Sequence, residues 1–169
     1  MDEKFEKFII GFDPGLAVSG YGVISISGSR VKHRTHGIIR SSAEEPEEKR
    51  LLSLYQSVST ILAEENPAAA GIESIFFSKN VRSAIPVAQA RGVILLACGE
   101  RGIPVYSFSP PQIKQRITGV GHAEKKQIQQ MVKFLLGLAA PPESDHAADA
   151  LAAAYCVWQE GHFSEIIIS

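Results

Sequence analysis

The chain has 169 residues, 45% of them apolar and 21% charged, with a formal net charge of −1. These values fit one soluble globular domain spanning 1–169 with enough chain for a proper core. The near-zero charge gives no global sign of a nucleic-acid partner, so any such surface must be a local patch. Cys98 and Cys156 lie far apart in apolar surroundings and read as reduced core thiols, not a disulfide framework or a zinc knuckle. No signal peptide and no apolar run of about 18 residues is expected, which makes the cytosol the default location.

The first element is a short apolar run, Phe8 to Phe12, that ends in Asp13-Pro14-Gly15. The run reads as a strand buried on both faces. Pro14 keeps Asp13 extended, and Gly15 can turn the chain sharply, so a carboxylate is held at the edge of a sheet. Such an Asp either starts a turn by bonding its own backbone or belongs to a site. Two further strands follow, over Ser19–Ile26 and Val31–Ile39, and the turn spacing predicts a three-stranded antiparallel meander. The Arg, Lys and His residues between Arg30 and Arg40 read as a solvated strand face.

Pro46 suits the first turn of a helix, with glutamates near its positive end. Leu51, Leu52, Leu54, Tyr55, Val58, Ile61 and Leu62 then recur at helical spacing up to Asn66-Pro67. The next apolar segment, 68–72, ends in Glu73, a second short strand delivering an acid at its end. Asp13 and Glu73 could converge if their strands are neighbours. Phe76 and Phe77 then fall in a loop with Lys79 and Arg82 close by. An aromatic beside bases can stack on or wedge between nucleobases, or it can simply pack. Residues 81–101 read as a helix apolar nearly all round, either central to the core or shared with another subunit.

A strand over Ile103–Phe108 and a short helix from Ser109-Pro110-Pro111 through Gln115 complete an α/β alternation with a mixed sheet. Between 112 and 133, Lys114, Arg116, Lys125, Lys126 and Lys133 stand against Glu124 alone. Gly119 and Gly121 lie between these lysines, ahead of a helix, where free backbone N–H groups could hold a phosphate of a DNA backbone. A last, alanine-rich helix follows Pro141-Pro142, capped by Ser144 or Asp145. His146 and Asp149 share one face of it, as do Asp145 and Asp149, so helical spacing alone leaves Asp149's partner open. An acid amid alanines is costly unless paired, and one metal can satisfy several acids at once.

Taken together, Gly11-Phe12-Asp13-Pro14-Gly15, Ile72-Glu73-Ser74-Ile75-Phe76, Ala88-Gln89-Ala90-Arg91-Gly92-Val93, Gln112-Ile113-Lys114-Gln115, Gly119 to Lys125 and His146 to Ala152 resemble the RuvC-type Holliday junction resolvases of the ribonuclease H-like superfamily. The resemblance runs from Ile10 to about Trp158. It implies a ribonuclease H-like fold, with three antiparallel strands plus two parallel ones in a five-stranded mixed sheet flanked by helices. It also implies an endodeoxyribonuclease that nicks four-way DNA junctions symmetrically in recombination and repair, leaving 5′-phosphate and 3′-hydroxyl ends. Asp13, Glu73, His146 and Asp149 are the implied catalytic and metal-binding residues, around two Mg²⁺ ions about 4 Å apart that Mn²⁺ can replace. His146 would be a metal ligand or a general base. Asp145, one residue out of register, is expected to be a cap or a supporting acid. Phe76, Lys79, Arg82, Lys114, Lys125 and Lys126 are the expected DNA contacts. A homodimer joined through 81–98 and a branch-migration helicase are the implied partners. The rival readings are a junction-binding protein without catalysis, another ribonuclease H-like nuclease, or half of an actin-like ATPase. The first would lack cleavage; the last would need a second lobe that the chain is too short to supply.

Overall fold

A computed structural model describes residues 6–75 and 81–161. The elements in chain order are β1 (Lys7–Asp13), β2 (Val18–Ser27), β3 (Arg30–Arg40), α1 (Glu47–Glu65), β4 (Ala69–Glu73), α2 (Val81–Glu100), β5 (Val105–Phe108), α3 (Pro110–Thr118), α4 (Lys125–Leu136) and α5 (Asp145–Gln159). The strands form one sheet in the order β3-β2-β1-β4-β5. β3, β2 and β1 pair antiparallel, and β1, β4 and β5 pair parallel. This is the five-stranded mixed sheet of a ribonuclease H-like fold.

Alternation along β1 sends Ile10 and Phe12 to one face and Ile9 to the other. The first face packs on α1 and α2 through Leu54, Val58, Leu62, Ala90 and Ile94. The second packs on α3, α4 and α5. The α5 contact is close enough to forbid a side chain at the points of β1 and β2 that it crosses. A Cβ at Gly11 would lie 1.8 Å from the Ala150 carbonyl oxygen, and one at Gly20 would lie 2.0 Å from that of His146. Glycine is required at both because helix backbone rests directly on strand backbone.

Several local expectations shift by a residue or two. Pro46 immediately precedes α1 instead of opening it, and Glu47 and Glu48 fill the first turn. α3 runs past Gln115 to Thr118, because it is Gly119, left-handed at φ 79°, that ends it. The Gly119 N–H bonds the Gln115 carbonyl at 2.8 Å, so it is not available to a phosphate. The helix that follows opens with its own bond from the Glu124 N–H to Gln127 Oε1, at 2.8 Å. Along β3, Arg34 lies over the Phe8 ring and pairs with Glu65, as suits a solvated strand face. Cys98 and Cys156 are buried free thiols. α2 is long and apolar enough to cross a membrane, unlike the expectation that no stretch would be. It is nevertheless a packed helix: Ala90, Ile94, Ala97 and Cys98 are buried, and the Arg91 guanidinium donates to Ser107 on β5.

Candidate active site

The site sits at the C-terminal ends of the neighbouring interior strands β1 and β4. Their parallel register pairs Phe12 with Ile72, so the residues that follow, Asp13 and Glu73, are neighbours. Phe12 and Ile72 face α1 and α2; strand alternation therefore turns both acids toward α5. There the glycine contacts seat the first turns of α5 against the sheet and bring Asp149 up to the pair. One ligand oxygen each from Asp13, Glu73 and Asp149 can be chosen so that all three lie within 4.8 Å of one another.

Asp13 is fixed from both sides. The turn after it is closed by Ser19, a fully buried polar residue whose Oγ accepts from the Gly15 N–H at 3.0 Å and donates to the Gly15 carbonyl at 2.6 Å. His146 Nδ1 lies 2.7 Å from Asp13 Oδ2. The His146 side chain is 48% exposed and that of Asp13 only 14%. His146 thus joins the site through Asp13, outside the carboxylate trio. Helical spacing left Asp149's partners open; the fold supplies Asp13 and Glu73, from two different strands.

Three carboxylates this close resist ionising together. Burial, with Asp13 adding its charge and a hydrogen bond, pushes the Glu73 carboxyl up to about 8. Burial and the Asp13 charge push Asp149 up to about 6, against the opposing pull of Lys125. Such a group is satisfied by a cation, and carboxylate oxygens are the hard donors that a divalent ion such as Mg²⁺ prefers. The residues therefore fit a divalent-metal site.

Lys114 of α3 and Lys125 at the start of α4 line a cleft with Glu73 and Asp149. Lys126 is exposed beside Lys125, and Arg82 is exposed in the first turn of α2. Phe76 and Lys79 lie outside the described residues. A second cleft, beyond Asp13 and Glu73, is bordered by Pro14, Ile75, Ala84, Val87, Pro110 and His146. No local pattern predicts this second cleft, because its lining comes from segments far apart in the chain. Ser144 stands at the N-cap of α5 without a capping side-chain bond. Asp145 does not cap the helix either; its carboxylate reaches Lys125 and Gln129 of α4.

A mixed sheet in this order, with acids at the ends of β1 and β4 and on the helix crossing them, defines a ribonuclease H-like nuclease. Residues 9–157 match the family described as crossover junction endodeoxyribonuclease RuvC. The RuvC of Thermosipho melanesiensis is 50% identical over 155 residues, covering 92% of this chain and 99% of its own length. That of Pseudothermotoga lettingae is 43% identical over 148 residues, covering 88% and 91%. Among solved structures, Thermus thermophilus RuvC in complex with Holliday junction substrate matches with a TM-score of 0.87 at 33% identity, over 94% of this chain and 96% of that one. The chain belongs to the RuvC family of crossover junction endodeoxyribonucleases.

Proposed function

We propose that this chain, acting as a single nuclease domain, resolves four-way DNA junctions by hydrolysing one phosphodiester in each of two symmetric strands. The observation that carries the reading is the carboxylate trio at the strand ends, in a fold matching a relative whose structure holds a Holliday junction. Asp13, Glu73 and Asp149 would hold the metal. We assign Mg²⁺, with Mn²⁺ as a substitute. Bound there, the ions supply Lewis-acid stabilisation of the scissile phosphate and an activated water.

The chain's own groups do the rest. His146, half-exposed and hydrogen-bonded to Asp13 through Nδ1, would accept a proton from the attacking water. Lys114 and Lys125 bring positive charge to the cleft that the scissile phosphate would enter. Lys126, Arg82 and Lys79 would contact the DNA backbone, and Phe76 would help to open or hold the junction. Products carry 5′-phosphate and 3′-hydroxyl ends.

Paired nicks on a two-fold symmetric substrate call for a two-fold dimer. Val81, Ile85 and Leu96 are exposed apolar residues on α2 and support that helix as the interface. A branch-migration helicase is the proposed partner, in the cytoplasm.

Cleavage of a synthetic four-way junction in Mg²⁺, wild type against Asp13→Asn, tests the reading. Symmetric nicks are expected from wild type. The variant should lose about a thousandfold in rate, the several kcal/mol that a metal centre supplies, while still binding the junction. Binding without cleavage by wild type in either Mg²⁺ or Mn²⁺ would reduce the protein to a junction binder.

A further inference from the structure

Asp145 is the first residue of α5, one position before His146. Its two carboxylate oxygens are both engaged by α4: Oδ2 accepts from Lys125 Nζ at 3.2 Å, and Oδ1 accepts from Gln129 Nε2 at 2.6 Å. Lys125 and Gln129 are four residues apart, so one helix face presents both donors to one acid. Asp145 is not part of the carboxylate trio that can hold a metal. Its contacts instead tie the start of α4 to the start of α5, on the rim of the cleft where Lys125 stands with Glu73, Asp149 and Lys114.

The Lys125 side chain is 73% exposed. A lysine this free samples many rotamers, most of which would carry the ammonium away from the cleft. We propose that Asp145 is a positioning residue: anchored by Gln129, it keeps the Lys125 ammonium at the cleft mouth, where the phosphate of the scissile strand arrives. The gain is preorganisation, since the charge is in place before the substrate. The effect is modest, because an exposed ion pair biases its partners only a few-fold. The inference rests on the proposed nuclease reading and adds to it the residue that aims one of its cations.

The test is single-turnover cleavage of a four-way junction by excess protein in Mg²⁺. It compares wild type, Asp145→Ala, Lys125→Ala and the double variant. Asp145→Ala is expected to slow cleavage about fivefold, with junction affinity and the Mg²⁺ concentration for half-maximal rate unchanged. In the Lys125→Ala background the same substitution should cost nothing further. Gln129→Ala, which frees the anchor alone, should show a smaller loss that also vanishes without Lys125; it carries the test if Asp145→Ala melts early. Losses that multiply in the two backgrounds would overturn the proposal, as would a raised Mg²⁺ requirement, which would make Asp145 a ligand. Wild-type protein that fails to cleave would sink the nuclease reading, and this inference with it.

Discussion

α2 and α5 look alike in sequence and end in opposite surroundings. Both are rich in alanine and other apolar residues with few charges. Nine of the fifteen residues of α5 are buried, whereas α2 buries four of twenty and exposes Val81, Ile85 and Leu96. α5 crosses the middle of the sheet, backbone against glycine backbone. α2 lies over the other face with much of its apolar surface uncovered. Small side chains let α5 approach the strands closely, whereas the larger apolar residues Val81, Ile85 and Leu96 of α2 stay exposed. The tighter helix carries Asp149 and His146, and its packing gives both side chains a rigid seat beside Asp13.

The sharpest way to break the contrast is at that seat. Gly11→Ala would drive a methyl group into the Ala150 carbonyl, with backbone on both sides and no flexible side chain to give way. A loss of at least about 3 kcal/mol is expected, seen as a fall in melting temperature on the order of 10 °C, along with lost cleavage. An unchanged melt would mean that α5 can lift off the sheet.

Next is the cost of the carboxylates that the seat brings together. In the metal-free protein the Glu73 carboxyl lies at about 8, against an ordinary 4.5. The folded state therefore holds more protons than the unfolded state between those values. Stability from this group is full below about pH 4.5 and falls as pH rises toward 8. Asp149, raised to about 6, adds a loss of the same sign over a lower range. Glu73→Gln should abolish cleavage yet raise the melting temperature in EDTA at pH 8 by on the order of 5 °C, a gain that shrinks toward pH 5. Melting curves at the two pH values decide it. Equal stability of wild type and variant at pH 8 would mean that the acids are not strained together.

The smallest effect on stability belongs to α2. Leu96→Glu should change monomer stability by no more than about 0.5 kcal/mol, as at any exposed position, while converting the proposed dimer to monomers in sedimentation. A dimer that survives the charge would place the interface elsewhere.

Much of the site was legible before folding was known. Asp13 and Glu73 each end a short apolar run, and Pro14 and Gly15 mark the first of these ends as a strand edge. Asp149 stands out as an acid amid alanines. The pairing of these three was not legible from spacing, because it depends on the β1–β4 register and on where α5 crosses. The family resemblance, not periodicity, carried His146; the fold shows it bonded to Asp13. A helix after Gly121 was legible but not its extent, because its buried residues, Ile128, Val132 and Leu136, are interleaved with lysines and glutamines. Gly119 read as a possible phosphate cradle, but it is a helix cap whose N–H is already bonded.

The sequence by itself determined the strands, the acids at their ends and the family, since local apolar runs, turn residues and motif order are properties of the chain. Only the tertiary structure decided which apolar helix is central and which is exposed, and that Asp145 faces Lys125 and Gln129 instead of capping its own helix. Burial and side-chain partnership are relations between segments distant in sequence. No local pattern encodes them until the sheet register and the glycine contacts fix where each helix lies.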